Sequence, residues 1–205
     1  MTGDVMLKLY DFPLSGNCHK VRLMLSLLQL DYDLIPVNLK EGEQKSAAFL
    51  QLNPLGQVPV LIDDDVVVWD SQAILVYLAR RYGGEKWLPT DADSMSKVMQ
   101  WLLIAANNIQ NSIAAARLHF LFNTQLDLDL AHQKAYQILQ IFDEHLSKRD
   151  WLECHRLTIA DIACFPYIAL APQGKISLDA YPHVTNWINR IKDLPGYISM
   201  PGIAG

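Results

Sequence analysis

Apolar residues in the first eighty positions follow two rhythms. VMLKLY (5–10) is a short β-like run. Val21, Met24, Leu25 and Leu28 then fall at i, i+3, i+4 and i+7, the spacing that lines one face of a helix. DYDLIPVNL (31–39) reads as a strand, and Pro36 moves it to a sheet edge because proline has no N–H for a central ladder. SAAFLQL (46–52) predicts a short helix, stopped by the breakers Asn53-Pro54-Leu55-Gly56. VPVLI (58–62) and VVVW (66–69) flank Asp63-Asp64-Asp65 at hairpin spacing, without the usual glycine. SQAILVYLARRYGG (71–84) predicts a helix with Arg80 and Arg81 in its last turn and a Gly83-Gly84 stop. The order β-α-β-α-β-β-α implies a mixed sheet with helices packed on it.

The rhythm changes after EKWLPTDAD (85–93), and no convincing strand follows. Residues 94–123 and 129–148 predict two helices, the first long and apolar on one face. Thr158-Ile159-Ala160-Asp161 has the form of a capping box with Asp in place of Glu. Pro182 opens a last helix that ends near Asp193-Leu194-Pro195-Gly196. The expected architecture is an α/β domain over 1–84 and an all-α domain over 92–205, without internal repeats.

Composition narrows the partners. The 205 residues are 51% hydrophobic and 19% charged, enough for a core of one large or two small domains. A net charge of -5 and the lack of a basic run argue against nucleic acid. MTGDVMLKLY has an early acid and no apolar h-region, so no signal peptide is expected. No run of about 18 apolar residues suggests a membrane span. Cys18, Cys154 and Cys164 are too few and too scattered for a disulfide framework. They fit a reducing, cytoplasmic setting. Neither CxxC nor HExxH occurs, Cys154-His155 is a weak metal signal, and no metal is expected.

Four local features carry candidate chemistry. SGNC (15–18) lies at a strand-to-helix junction, where free N–H groups favour an anion. Ser15 or Asn17 is otherwise an ordinary N-cap, and Cys18 an ordinary buried thiol. Gln57-Val58-Pro59 opens a strand with backbone groups left for a peptide-like ligand, or else blocks edge aggregation. Asp70-Ser71 precedes a helix. The Ser can cap, the helix end can hold a carboxylate, and Asp70 can accept from an ammonium group. Gln44, after Gly42, is a loop amide that has a solvated reading of its own. Together they suggest a small peptide-like ligand with an amine and carboxylates, its thiol at the SGNC helix end.

The chain resembles the cytosolic glutathione transferases over essentially its whole length. LYDFPLSGNCHKVRL (9–23), FLQLNPLGQVPVL (49–61), WDSQAILVYLARRYG (69–83), TIADIACFPYI (158–168) and YPHVTNWINRI…LPG (181–196) stand in the family's order and spacing. The resemblance implies a thioredoxin-like N-terminal domain plus an all-α C-terminal domain, in a cytoplasmic homodimer of bacterial type. It implies that Val58, before a cis Pro59 and next to Gln57, pairs its backbone with the cysteinyl part of glutathione. Asp70 and Ser71 would hold the γ-glutamyl end and Gln44 the glycyl end. The acceptor would lie between the domains, against the helix around 101–122, where Trp101, Arg117 and Phe120 stay unassigned. Ser15 falls where theta- and zeta-like enzymes keep a catalytic Ser. Asn17 with His19-Lys20 is similar to the Nu-like TPNGHK. No one class pattern fits all of SGNCHK, so Ser15 is the first candidate activator, Asn17 the second, and Cys18 structural or ancillary.

The implied chemistry is stabilisation of the glutathione thiolate, the nucleophile for a small, mostly apolar electrophile in detoxification. Glutathione is the co-substrate. A glutathione-dependent disulfide or peroxide reductase is the alternative, motivated by the Nu-like Asn17. A zeta-type isomerase lacks its SSCS pattern, and a non-catalytic interaction module is disfavoured by the intact Ser15, Pro59, Asp70 and Ser71.

Overall fold

The computed structural model describes residues 7–203. Val5 and Met6 of the first expected strand, and most of the segment used to judge a leader, lie outside the described residues. Strands β1 (Leu7–Asp11) and β2 (Tyr32–Pro36) run parallel and are joined by α1 (Gly16–Leu27). The sheet order is β2-β1-β3-β4, so β2 and its Pro36 sit at an edge as the sequence implied. Helix α2 (Ala47–Leu52) is capped by Ser46 and stops at Asn53. Strand β3 (Val60–Asp63) lies antiparallel to β1 and turns onto β4 (Val66–Trp69). That turn needs no glycine because Asp64 itself takes a left-handed φ of 51°. Helix α3 (Ser71–Leu78) follows, but Ala79–Gly83 winds on as a wider π turn rather than a last α turn.

The rest is helical. α4 (Ala92–Ile104) and α5 (Ala115–Phe122) are joined by a π-wound stretch, Ala105–Ala114. The long helix expected over 94–123 therefore has a loosened middle. That stretch reads AANNIQNSIA, rich in weak α-formers. The Ser112 hydroxyl donates back to the Asn108 carbonyl at 2.5 Å and further loosens the ladder. α6 (Leu128–Leu146), α7 (Ile159–Ala169) and α8 (Pro182–Lys192) complete the chain. A four-stranded mixed sheet with its helices, followed by this helical part, is a thioredoxin-like fold joined to an all-α one. Two single-turn tight helices, Glu43–Lys45 and Ala171–Gly174, are too short for periodicity to reveal. Among the described residues no helix is long and apolar enough to cross a membrane.

Alternation along β1 splits the core. Leu7 and Leu9 face α1 and α3 in the main cluster, while Tyr10 joins Val37, Phe49 and Val60 beneath α2. The main cluster continues without a break through Ile109, Phe142, Phe165 and Trp187 of the helical part. Helix α1 lies inside it, packed against α3 on one side and α7 on the other. Its polar residues are buried too. Arg22 pairs with Asp11 of β1, and His19 is fully buried with neither ring nitrogen hydrogen-bonded among the described residues. Burial pushes the His19 imidazole down to about 3 from 6.5.

The capping box forms as expected at the start of α7. The Thr158 hydroxyl accepts from Ala160 N–H at 3.2 Å, and Asp161 Oδ2 accepts from Thr158 N–H at 3.0 Å. Asp161 does more than cap. Its Oδ1 accepts from Leu152 N–H and Trp187 Nε1–H, each at 3.0 Å, tying the loop before α7 and helix α8 to one buried carboxylate.

Asp161→Asn replaces one carboxylate oxygen with an NH2 that faces donors already bonded there, and should cost about 3 kcal/mol. Urea unfolding is expected to show a lower midpoint at unchanged slope; a loss below about 1 kcal/mol would contradict this role. His19 makes the fold sensitive to acid. Between pH 3 and 6.5 only the unfolded chain binds the proton, so stability is full above 6.5 and falls as pH drops toward 3. His19→Leu should weaken that acid loss by about 2 kcal/mol between neutrality and mildly acid pH. Parallel curves for the two proteins would refute it.

Candidate functional site

The N-terminus of α1 opens into a cleft of about 410 Å³. One wall comes from the loops of the sheet part, with Phe12, Leu14, Ser15, Asn17, Gln44, Gln57, Val58, Asp70 and Gln72. The opposite wall is Ala106 and Gln110 of the π-wound stretch, Arg117, Leu118 and Phe122 of α5, and Tyr167 of α7. A smaller recess adjoins it, where Asn17, Gln57, Val58 and Asp70 meet Pro59 and Ser71. All eight residues singled out in the sequence thus border one continuous site.

Ser15 is the N-cap of α1. Its Oγ accepts from Cys18 N–H at 3.2 Å, so the ordinary capping role holds and the hydroxyl proton is left for another acceptor. Asn17, the second residue of the helix, is held more firmly. Its Oδ1 accepts from Lys20 Nζ at 2.8 Å, and the Ser71 hydroxyl oxygen lies 3.3 Å away. That occupies the carbonyl end and turns the amide Nδ2 toward the cleft, where it reaches Gln110 Oε1 at only 3.4 Å. Lys20 is fully buried, lies 5.4 Å from the Tyr167 ring centroid and also reaches Gln72 Oε1 at 3.4 Å. Burial pulls its ammonium down to about 8, so it is charged at neutral pH. Behind them, Cys18 is buried and its thiol is pushed up to about 12, chiefly by desolvation and then by Asp11. It is a packing residue in this fold, not a reactive thiol.

Val58 and Pro59 are joined by a cis peptide. Strand pairing starts only at Val60, and the Val58 N–H and C=O have no hydrogen-bond partner among the described residues. The Gln57 carbonyl accepts from Asn53 Nδ2 at 2.8 Å, which fixes the approach to this bond. At α3 the sequence assignment needs correction: Asp70, not Ser71, is the cap. Asp70 Oδ1 accepts from Gln72 N–H at 2.8 Å and Ala73 N–H at 3.2 Å, at a strained φ of 72° and ψ of 126°. Its Oδ2 has no described partner. Ser71, as the first helical residue, is buried and donates to Gln72 Oε1 at 2.8 Å. Gln44 lies on the tight turn Glu43–Lys45. Its Nε2 donates to Leu39 O at 3.4 Å and its Oε1 is unpartnered.

Sequence reasoning missed Gln72, Gln110 and the anchoring role of Lys20. Gln72 directly follows the Asp-Ser pair, and Lys20 is a cation among apolar neighbours on a helix that proves buried. Gln110 gave no signal, because only the fold brings it to Asn17. Of the unassigned three, Arg117 lines the cleft, Phe120 is exposed, and Trp101 is a core residue packed on Phe142 at 4.7 Å. Cys154 and His155 lie in a loop, and among the described residues no group of three His, Cys, Asp or Glu could hold a metal.

Comparison with known proteins agrees with this geometry. Residues 5–80 match the profile of the glutathione S-transferase N-terminal domain and residues 95–195 that of the glutathione S-transferase C-terminal domain. Glutathione S-transferase 3 of Zea mays is 32% identical over 203 residues, 93% of this chain and 91% of its own. Disulfide-bond oxidoreductase YfcG of Escherichia coli (strain K12) is 30% identical over 206 residues, covering 93% and 92%. A crystal structure of glutathione S-transferase from Pseudomonas fluorescens superposes with a TM-score of 0.89 at 32% identity, covering 95% of this chain and 98% of that one. A thioredoxin-like unit and a helical unit that share a cleft, both matched in sequence and in structure, place this chain in the glutathione S-transferase family of enzymes.

Proposed function

We propose that the cleft binds glutathione as co-substrate and that the enzyme conjugates its thiolate to small, mostly apolar electrophiles. The observation that carries this reading is Asn17, whose carbonyl is pinned by buried Lys20 so that its N–H groups face the cleft beside the Ser15 hydroxyl. The γ-glutamyl ammonium goes to Asp70 and its carboxylate to Ser71 and the start of α3. The unpaired Val58 backbone takes the cysteinyl amide groups next to Gln57 and Pro59, and Gln44 takes the glycyl end. Residues 1–84 then form the glutathione-binding domain and 92–205 the domain that supplies the acceptor wall. A cytoplasmic homodimer with a detoxification role completes this reading, supported by apolar side chains exposed on β4 (Val66, Val67, Trp69) and α4 (Met99, Leu103).

The sulfur falls at the Ser15–Asn17 end. A free thiol with a pKa of about 8.5 is only slightly ionised at neutral pH. Lowering that by about two units takes roughly 2.7 kcal/mol of preference for the anion. Hydrogen bonds donated by Ser15 Oγ and Asn17 Nδ2, the free amides at the start of α1 and the nearby Lys20 charge all act in that direction. The thiol proton leaves to solvent. The thiolate attacks the electrophilic carbon, the C–S bond forms, and the leaving group departs with the electron pair of its bond.

A second reading, reduction of a disulfide through a glutathione mixed disulfide, is favoured by the full-length similarity to an Escherichia coli protein named as a disulfide-bond oxidoreductase. Turnover of an aryl halide against turnover of a small disulfide separates the two.

Ser15→Ala and Asn17→Ala should each raise the pKa of bound glutathione by about one unit, and the double variant by more. Ultraviolet difference titration of the thiolate band checks this. An unchanged band in both single variants would contradict thiol activation by this pair. An absent band in the wild type would contradict the glutathione reading.

A further inference from the structure

Arg117 is the feature of the cleft that the glutathione assignment leaves unused. It stands on α5, only 1% exposed, in the helical wall that Leu118 and Tyr167 also line. Its Nη1 donates to the Leu14 carbonyl at 2.9 Å and its Nε to Gln173 Oε1 at 2.6 Å. Its Nη2 is sealed from bulk water and has no partner among the described residues. Arg117 takes part in none of the described ion pairs. A guanidinium withdrawn from water without a carboxylate is costly, and most buried arginines are paired. Arg117 also carries the only formal positive charge among the described residues that line the cleft.

The surroundings define what could satisfy it. The helical wall around Arg117 is mostly apolar, with Ala106, Leu118 and Phe122 beside Gln110 and the Tyr167 ring, and Leu14 faces it from the sheet side. The acid of the cleft, Asp70, lies on the facing wall and is directed at the start of α3. The groups proposed for glutathione's own carboxylates, Ser71 with the start of α3 and Gln44, also belong to that facing wall. An anionic oxygen at Arg117 would therefore come from the other reactant.

We propose that the helical wall selects acceptors with an anionic oxygen group on a flat apolar body, and that Arg117 holds that group. This rests on the glutathione reading and names the substrate class for it. Two sources share the chemistry: a carboxylated or sulfonated aromatic electrophile, and the carboxylates of a disulfide partner. For an aryl chloride, the thiolate attacks the carbon bearing chlorine, a C–S bond forms, the C–Cl bond breaks, and chloride leaves with the bonding pair. Arg117 takes no proton; it fixes the acceptor's orientation and offsets its charge beside the thiolate.

The test compares a chloronitrobenzoate with the matching chloronitrobenzamide, each kcat/KM divided by its uncatalysed rate with glutathione. The wild type should favour the carboxylate by about tenfold to a hundredfold. In Arg117→Met the ratio should fall to near one, and Arg117→Lys should keep part of it. A ratio does not depend on how much of a variant is folded. No preference in the wild type, or a full preference in Arg117→Met, overturns the proposal. A calorimetric arm uses the unreactive nitrobenzoate and nitrobenzamide, with and without glutathione. It decides the anion site even if neither chloride turns over, in which case the conjugation reading fails separately. Tighter nitrobenzoate binding that is lost in Arg117→Met supports the site; equal binding overturns it. A variant that loses glutathione affinity while keeping its acceptor ratio assigns Arg117 to glutathione and overturns it too. Where the benzoate preference holds, disulfide turnover that also depends on Arg117 adds the disulfide source, and disulfide turnover that does not depend on it leaves the aromatic electrophile as the source.

Discussion

Gly16 meets the ring of Tyr167 so closely that a Cβ there would lie 2.8 Å from two of its carbons. That contact presses the first turn of α1 against α7 and fixes where the two parts of the chain come together. Everything at the cleft depends on it. Ser15 precedes the contact and Asn17 follows it, so both polar groups stand at the seam. The same ring lies beneath Lys20, and burial holds its phenol neutral, pushed up to about 12. Helix α1 is thus an internal rod whose N-terminus opens onto the cleft, packed between α3 and α7.

Burial of charge around the cleft has a chemical consequence. A protein with a net charge of -5 keeps two cations, Lys20 and Arg117, behind the walls of its cleft with no carboxylate in ion-pair contact among the described residues. In a low-dielectric wall such charges act on a bound group far more strongly than surface lysines do. Lys20 works mainly by orientation, since its 2.8 Å bond to Asn17 decides which end of the amide faces the ligand. In the proposed chemistry, the cost of burying these cations is offset when an anion forms or arrives beside them.

Much of this was legible in the sequence, and the failures have physical reasons. The strands, α1, α2, α6, α8 and the Thr158 capping box follow from local patterns that the fold does not override. The π windings at 79–83 and 105–114 escaped because a three-to-four residue rhythm cannot separate a helix from a slightly wider one. Asp70 was misread as a neighbour of the cap, since only its positive φ shows that the chain turns there and makes it the cap itself. The eight candidate residues could be picked out because each lies in a short segment with its own polar or breaker signature, and the fold brings them to the border of one cleft. Gln110 and Arg117 were not, because their positions depend on packing between α1 and the long helix, separated by some ninety residues or more of sequence.

The central claim is that glutathione lies across the starts of α1 and α3 with its sulfur between Ser15 and Asn17. The most direct test is a crystal structure of this protein with glutathione bound. The account predicts the sulfur within hydrogen-bond reach of Ser15 Oγ and Asn17 Nδ2, the Val58 backbone paired with the cysteinyl residue, and the ammonium on Asp70. Glutathione bound elsewhere, or bound here with its sulfur turned away from α1, would contradict it.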